Sequence, residues 1–450
     1  MKNFVVTLIG GGSLTWTPKF TRDILLMDSI EGLELRLMDI DEKKLELMFA
    51  LTQKMSFESG KRLRIKAYTN RKDSLENVDI VVSTCLIGGH DTWRRDLDII
   101  RSYGIHHPKG MSVGPGGFIQ GLKNITGLLD IAADMEVICP DAWLLVYTNP
   151  VQTITLALQK YSKIKAIGLC HGVTEGIENL AKFLGVSEKD LAYRAFGINH
   201  CGWLFDLRKN NVSIMKELKP MLEEHAPRMK GRWEGEEIIT RQMLDIFGAF
   251  PLQADIHTIE FFPHFIAKDK DLSDFSLNTN YVQQRIENMS KLEETAKRAI
   301  AGEIQTSDAI GTTAKGDDLK DTSTEKIDVL IKGIIYNEPA NLYINTMNNG
   351  CISNLPADCC VETPAVVDSY GYRGCNMGEV PDGIAALMTL QAYIQKLTVE
   401  SAVKGSRELA MQALFLDPMC NSLSPEEIRS MLNELIEFQP EWLPTFNKAG

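Results

Sequence analysis

Phe4-Val5-Val6-Thr7-Leu8-Ile9 runs directly into Gly10-Gly11-Gly12-Ser13, and Thr17 to Met27 follows with helical character. An unbroken apolar and β-branched run reads as a strand covered on both faces, since a half-exposed strand would alternate. In a strand–glycine turn–helix context a Gly-x-Gly acquires chemical meaning. The glycines let backbone approach a pyrophosphate, and the helix N-terminus supplies N–H groups and a positive dipole end. Gly10, Gly11, Gly12 and Ser13 are therefore candidate cofactor-binding residues, although the third glycine of the full fingerprint is missing. The second strand, Leu33 to Met38, ends in Asp39. An acid at that point binds ribose hydroxyls and disfavours a 2′-phosphate, so NAD is expected rather than NADP.

Moving outward, Arg64 to Tyr68 and Val78 to Leu86 continue an alternation of strands with helices. That alternation specifies a parallel, doubly wound (Rossmann-like) sheet. The fourth strand ends in Ile87-Gly88-Gly89-His90, where Gly88 is a further cofactor candidate. Gly114-Pro115-Gly116-Gly117 opens a helix that ends at Ile138, and the strand Leu144 to Tyr147 ends in Thr148-Asn149-Pro150. Ile164 to Leu169 and Tyr193 to Ile198 are two more short apolar runs, followed by Cys170 and His200. Ligands in such folds lie beyond the carboxyl ends of the strands, so Asn149, Cys170 and His200 should converge. A thiolate and an imidazole together suit a divalent transition metal; an inert buried cysteine beside an unrelated histidine is the alternative.

A length of 450 residues suggests two domains: residues 1–198 as the dinucleotide-binding unit and 199–450 as an α+β unit for substrate binding and oligomerisation. The net charge of −12 argues against nucleic acid or an anionic membrane as partner. No apolar run approaches the roughly 20 residues that span a bilayer. Nine cysteines without regular spacing fit reduced thiols, so a cytoplasmic protein is expected. Gln305 to Asp328 reads as an exposed loop, Val329 to Ile344 and Val361 to Val367 as strands, and Gly383 to Leu414 and Pro425 to Phe438 as helices. The Met and Leu stripe on those helices suits core or subunit interface, and a homodimer or homotetramer is expected.

The ordered set Gly-Gly-Gly-Ser (10–13), Gly-Pro-Gly-Gly (114–117), Thr-Asn-Pro (148–150), Cys-His-Gly (170–172) and Gly-Ile-Asn-His (197–200) resembles glycoside hydrolase family 4, the NAD- and manganese-dependent glycosidases. The likeness continues through Asn354-Leu355-Pro356 and Cys359-Cys360-Val361-Glu362, and is nearest the bacterial α-galactosidase branch. The resemblance implies a route unlike the two-carboxylate glycosidases. NAD takes hydride from sugar carbon 3, a base removes the acidified hydrogen at carbon 2, the aglycone is eliminated, water adds, and hydride returns. It also implies Cys170 and His200 as ligands of Mn2+ or another divalent metal, and Asn149 as a substrate ligand.

His171 occupies a position that carries Asp or Asn in the family's phosphoglycosidases, and is the candidate acid. Asp255 aligns with an acid of the non-phosphorylated branches and is the candidate base or substrate ligand. His257, two residues on, would share its face in an extended chain and is a candidate substrate residue. Trp93 falls where phosphoglycosidases carry a phosphate-binding arginine, and suits stacking on a sugar. An unphosphorylated α-galactoside is therefore the expected substrate. Arg94 or Arg95 pairing with a uronate keeps α-galacturonidase and α-glucuronidase open, and α-glucosidase is a further alternative in the same family. Related enzymes place a carboxylate shortly before Gly-Pro-Gly-Gly. This chain has Gly110-Met111-Ser112-Val113 there, with His106, His107 or a water as expected substitutes. Outside the family, a lactate- or malate-type dehydrogenase shares the expected overall fold, and makes an NAD-dependent 2-hydroxyacid dehydrogenase the second reading. An NAD-sensing protein without chemistry is the third.

Overall fold

The computed structural model describes residues 4–28, 30–229, 237–266, 272–310 and 323–447. The first six strands are β1 (Phe4–Ile9), β2 (Leu33–Met38), β3 (Arg64–Tyr68), β4 (Ile80–Ser83), β5 (Trp143–Val146) and β6 (Lys165–Gly168). They pair in the spatial order 3-2-1-4-5-6, all parallel. This is the doubly wound order, with a chain reversal beside β1 that opens a crevice at the strands' carboxyl ends. The helices Trp16–Leu26, Glu42–Glu58 and Gly114–Ile138 cover its faces. β1, β2, β4 and β5 are almost wholly buried: β1, β4 and β5 as unbroken apolar runs, β2 with its Glu34 and Arg36 paired at 2.7 Å.

The sheet does not stop at the boundary expected after residue 198. β7 (Leu191–Ile198) and β8 (Cys201–Lys209) form a hairpin, followed by β9 (Val212–Ser213) and β10 (Phe250–Pro251). β11 (Ala340–Met347), β12 (Cys360–Asp368) and β13 (Gly371–Gly374) complete it. β11 pairs antiparallel to β6 and β12 to β7, so both halves of the chain share one mixed, 13-stranded sheet. The core is shared too: Ile119 and Leu122 lie in one apolar cluster with Met388 and Ala392.

Three expectations about the second half are corrected. Ile327–Tyr336 is a helix and only Ala340 onward is strand, because a short, largely apolar run reads the same in either conformation. The helix expected over Gly383 to Leu414 breaks at Gly405, whose φ of +65° ends Asp382–Lys404 before Arg407–Leu416 begins. Of the loop expected at Gln305 to Asp328, residues 311–322 lie outside the described residues; Ser323 and Glu325 beyond them are buried, not exposed.

Candidate active site

The carboxyl ends of β1, β4, β5 and β6 and the β7–β8 turn face one cavity of roughly 550 Å3. Ser13, Thr84, Thr148, Asn149, Cys170, His171 and His200 all line it. Two strand ends thus bring a sulfur and an imidazole to the same space as the glycine turn.

The turn is shaped by contacts that leave no room for side chains. A Cβ on Gly10, whose φ is +96°, would lie 2.7 Å from Thr84 Oγ1 and 3.0 Å from the Cys85 nitrogen. One on Gly11 would meet the β2 backbone at Leu37 at 2.8 Å. Asp39 Oδ2 accepts from Gly12 N at 2.8 Å and Oδ1 from Asp41 N at 3.0 Å. Asp39 therefore braces the turn, and its carboxylate keeps lone pairs for a further donor. Ser13 lines the cavity; Gly10, Gly11, Gly12 and Gly88 are not among its lining residues.

His200 sits in the β7–β8 turn with φ +61°, 6% exposed. Its Nδ1 lies 2.6 Å from Ser112 Oγ; with the ring as donor in that contact, Nε2 keeps its lone pair. Burial, with Lys109 and His171 nearby, holds its pKa down to about 3, so the ring is neutral. Cys170 Sγ accepts from Gly172 N at 3.4 Å, and burial beside Glu362 pushes its thiol well up. A nearby cation would reverse that shift. Among the described residues, no group of three or more His, Cys, Asp and Glu side chains is arranged to hold a metal ion. The strand ends bring one sulfur and one imidazole to the cavity.

Polar atoms around this pair lack partners among the described residues. Asn149 Oδ1 is buried without one, while its backbone carbonyl accepts from Asn124 Nδ2 at 2.7 Å. The Asn199 amide, 1% exposed, is set against the Cys170 thiol and the Glu362 carboxyl. Burial pushes the Glu362 carboxyl up to about 7. Buried polar atoms without partners are costly, and cluster where a ligand completes them.

His171 carries a carboxylate at each ring nitrogen: Glu325 Oε1 at 3.1 Å from Nδ1 and Glu175 Oε2 at 3.3 Å from Nε2. Glu325 also accepts from Lys19 Nζ at 3.1 Å. The Glu325 charge raises the His171 pKa to about 10, and His171 and Lys19 hold Glu325 at about 2 despite its burial. A carboxylate at each ring nitrogen favours the imidazolium.

Asp255 does not reach the cavity. The segment Asp255–Thr258 is a helical turn rather than extended chain, so residues two apart point different ways. The carboxylate, 1% exposed, accepts from Ile239 N, Thr240 N and Thr240 Oγ1 at 2.7 to 2.8 Å and secures the start of the helix Ile238–Phe247. His257 does line the cavity, against His200 with ring centroids 4.2 Å apart and with Lys109 Nζ 2.9 Å from its Nε2. Trp93 lines it too, but only 2% of its surface is exposed and the ring packs on His90 and Tyr281, which leaves no face for a sugar. Arg94 pairs with Asp91 and Arg95 lies over the Phe438 ring, both away from the cavity. His107 does not replace the missing carboxylate: Glu260 Oε1 binds His107 Nδ1, Lys109 N and Gly110 N. That clamp instead holds the loop that presents Lys109, Met111 and Ser112.

Sequence reading missed Lys19, Lys109, Ser112, Glu175 and Glu325. It also missed one face of the helix Tyr281–Ala301, which gives the cavity Tyr281, Arg285 and Met289. Their spacing of four was the available signal.

Comparison with known proteins agrees with this architecture. A model described as the family 4 glycosyl hydrolase matches residues 5–186, and one for the C-terminal domain of that family matches residues 195–420. An α-galactosidase of Bacillus subtilis is 31% identical over 98% of this chain and 99% of its own. An α-galacturonidase of Thermoanaerobacterium saccharolyticum is 27% identical over 98% of this chain and 97% of its own. A 6-phospho-α-glucosidase from gut microorganisms, solved in complex with NAD and Mn2+, shares the fold with a TM-score of 0.82 and 21% identity, covering 98% of this chain and 99% of its own. The chain belongs to family 4 of the glycosyl hydrolases.

Proposed function

We propose that this glycoside hydrolase cleaves unphosphorylated α-galactosides with NAD and a divalent metal, Mn2+ or a similar ion, as cofactors. The observation that carries the reading is the single cavity that joins the Ser13 turn to Cys170 and His200. The residues fit both groups. The glycine turn packs so closely on Thr84 and Leu37 that no side chain fits there, Ser13 at its end lines the cavity, and Asp39 stands at the end of β2. A neutral imidazole with a free Nε2 beside a thiol suits a transition metal, with sugar hydroxyls filling the other positions.

NAD supplies reversible hydride transfer at sugar carbon 3, and the metal supplies a Lewis acid for the carbonyl so formed. The chain's own residues do the rest. Asn149 offers a buried, unpartnered oxygen to a sugar hydroxyl. His257 and Lys109 form the wall beside His200 and orient the ring. His171 holds a proton for the departing glycosidic oxygen. Asp255, committed to a helix start, takes no part in moving protons.

The identity to an α-galactosidase and the histidine at position 171 support the galactoside reading. α-Galacturonidase is the second reading, favoured by Lys109 and Arg285 in the cavity wall, which can meet a carboxylate. The test is nitrophenol release from p-nitrophenyl α-galactoside and α-galacturonide with Mn2+ and a thiol, with and without NAD. The galactoside should be cleaved only when NAD is present, without net NADH. Cleavage of the galacturonide alone selects the second reading, and NADH accumulating on 2-hydroxyacids overturns both.

A further inference from the structure

We propose that Glu325 is the positioning residue for the proton donor His171, fixing the ring through Nδ1 so that Nε2 serves the substrate. This rests on the reading of His171 as the acid. The two carboxylates on the ring differ in kind. The Glu325 side chain is 1% exposed, and the oxygen that accepts from His171 Nδ1 at 3.1 Å also accepts from Lys19 Nζ at 3.1 Å. Its backbone carbonyl accepts from the Tyr147 hydroxyl at 2.7 Å, so the residue is held from both ends. The Glu175 side chain is 54% exposed and stands on the first turn of the helix Gly172–Leu184, 3.3 Å from Nε2. A pair open to solvent is worth little and exchanges readily, whereas breaking a buried one strands a charge. The Nδ1 side is therefore the fixed side, and Nε2 is free to trade Glu175 for a ligand.

Lys19 lies on the helix Trp16–Leu26, which follows the glycine turn. Glu325 thus ties the acid to the element that presents the cofactor turn, and does so from the second half of the chain. In the step itself the Nε2–H bond breaks and its proton goes to the glycosidic oxygen, which also takes the electron pair of the breaking carbon 1–oxygen bond. The ring keeps its Nδ1–H on the Glu325 carboxylate, which receives no proton. Solvent, through Glu175, restores the proton at Nε2.

The experiment compares wild type, Glu325→Gln and His171→Asn on methyl and 2,4-dinitrophenyl α-galactosides, where only the methoxide leaving group needs a proton. Glu325→Gln should lower kcat on the methyl glycoside by about 100-fold and leave the dinitrophenyl glycoside nearly unchanged. His171→Asn should show the same selectivity; without it, the assignment of the acid fails. If His171→Asn is selective while Glu325→Gln slows both substrates equally, or neither, the positioning role is overturned. A second readout needs no turnover. In 15N-histidine-labelled protein, the low-field imidazole proton signal that His171→Asn removes should be lost or shifted in Glu325→Gln, and its persistence unchanged in the folded variant contradicts the proposal.

Discussion

At the scale of single residues, the site is read most directly through His200. Its ring is held by one hydroxyl, Ser112 Oγ at 2.6 Å from Nδ1, and in the proposed function that contact leaves Nε2 for the metal. Partners of this kind typically tune affinity by about 10–100-fold. Ser112→Ala is therefore expected to weaken Mn2+ binding by about that factor in a calorimetric titration. Unchanged affinity would remove His200 Nε2 from the metal site. The residues that sequence alone made legible, Ser13, Asn149, Cys170, His171 and His200, sit at strand ends or in the first turn beyond them. There the doubly wound rule places side chains without further information. Ser112, Lys109 and Glu325 were not legible, because each lies in irregular chain whose position is set by distant contacts. The loop carrying Ser112 and Lys109 depends on Glu260, about 150 residues away.

At the scale of elements, β2 and β3 carry charges at alternate positions and were placed by the alternation of strands with helices, whereas β1, β4 and β5 were legible as unbroken apolar runs. Ile327–Tyr336 was not: it is equally apolar and β-branched, and only its neighbours make it helical. The turn Asp255–Thr258 carries the same lesson into function. In extended chain Asp255 and His257 would share a face, but the helical turn sends the carboxylate to the start of Ile238–Phe247 and the imidazole to the cavity. Asp255→Asn retains an acceptor oxygen for that helix. It should lower the unfolding free energy by about 1–2 kcal/mol in denaturant titration, with turnover within a few-fold of wild type. Wild-type stability with abolished turnover would restore a chemical role.

At the scale of the molecule, the chain is built so that its second half completes a site begun by the first. The sheet runs through both, and the last described segment is anchored by a buried ion pair. Lys123 Nζ lies 2.6 Å from Asp96 Oδ2, both fully buried, and Gln439 Nε2 donates to Asp96 Oδ1 at 2.8 Å. Burial pushes Asp96 up and Lys123 down from their ordinary pKa values, so each charge depends on the other. Lys123→Met should cost about 3–5 kcal/mol of stability, because it leaves Asp96 buried and unpaired. A loss under about 1 kcal/mol would mean that the pair is not held as the structure places it. The composition gave no hint of this pair, since a lysine and an aspartate 27 residues apart look like surface residues until helix packing brings them together.

The proposed function requires that the glycoside be cleaved by way of a sugar oxidised at carbon 3, which makes the hydrogen at carbon 2 acidic. The most direct measurement is hydrolysis of p-nitrophenyl α-galactoside deuterated at carbon 2, in ordinary water with NAD and Mn2+ present. Released galactose should have exchanged the label with solvent. Galactose that keeps its deuterium would contradict the account.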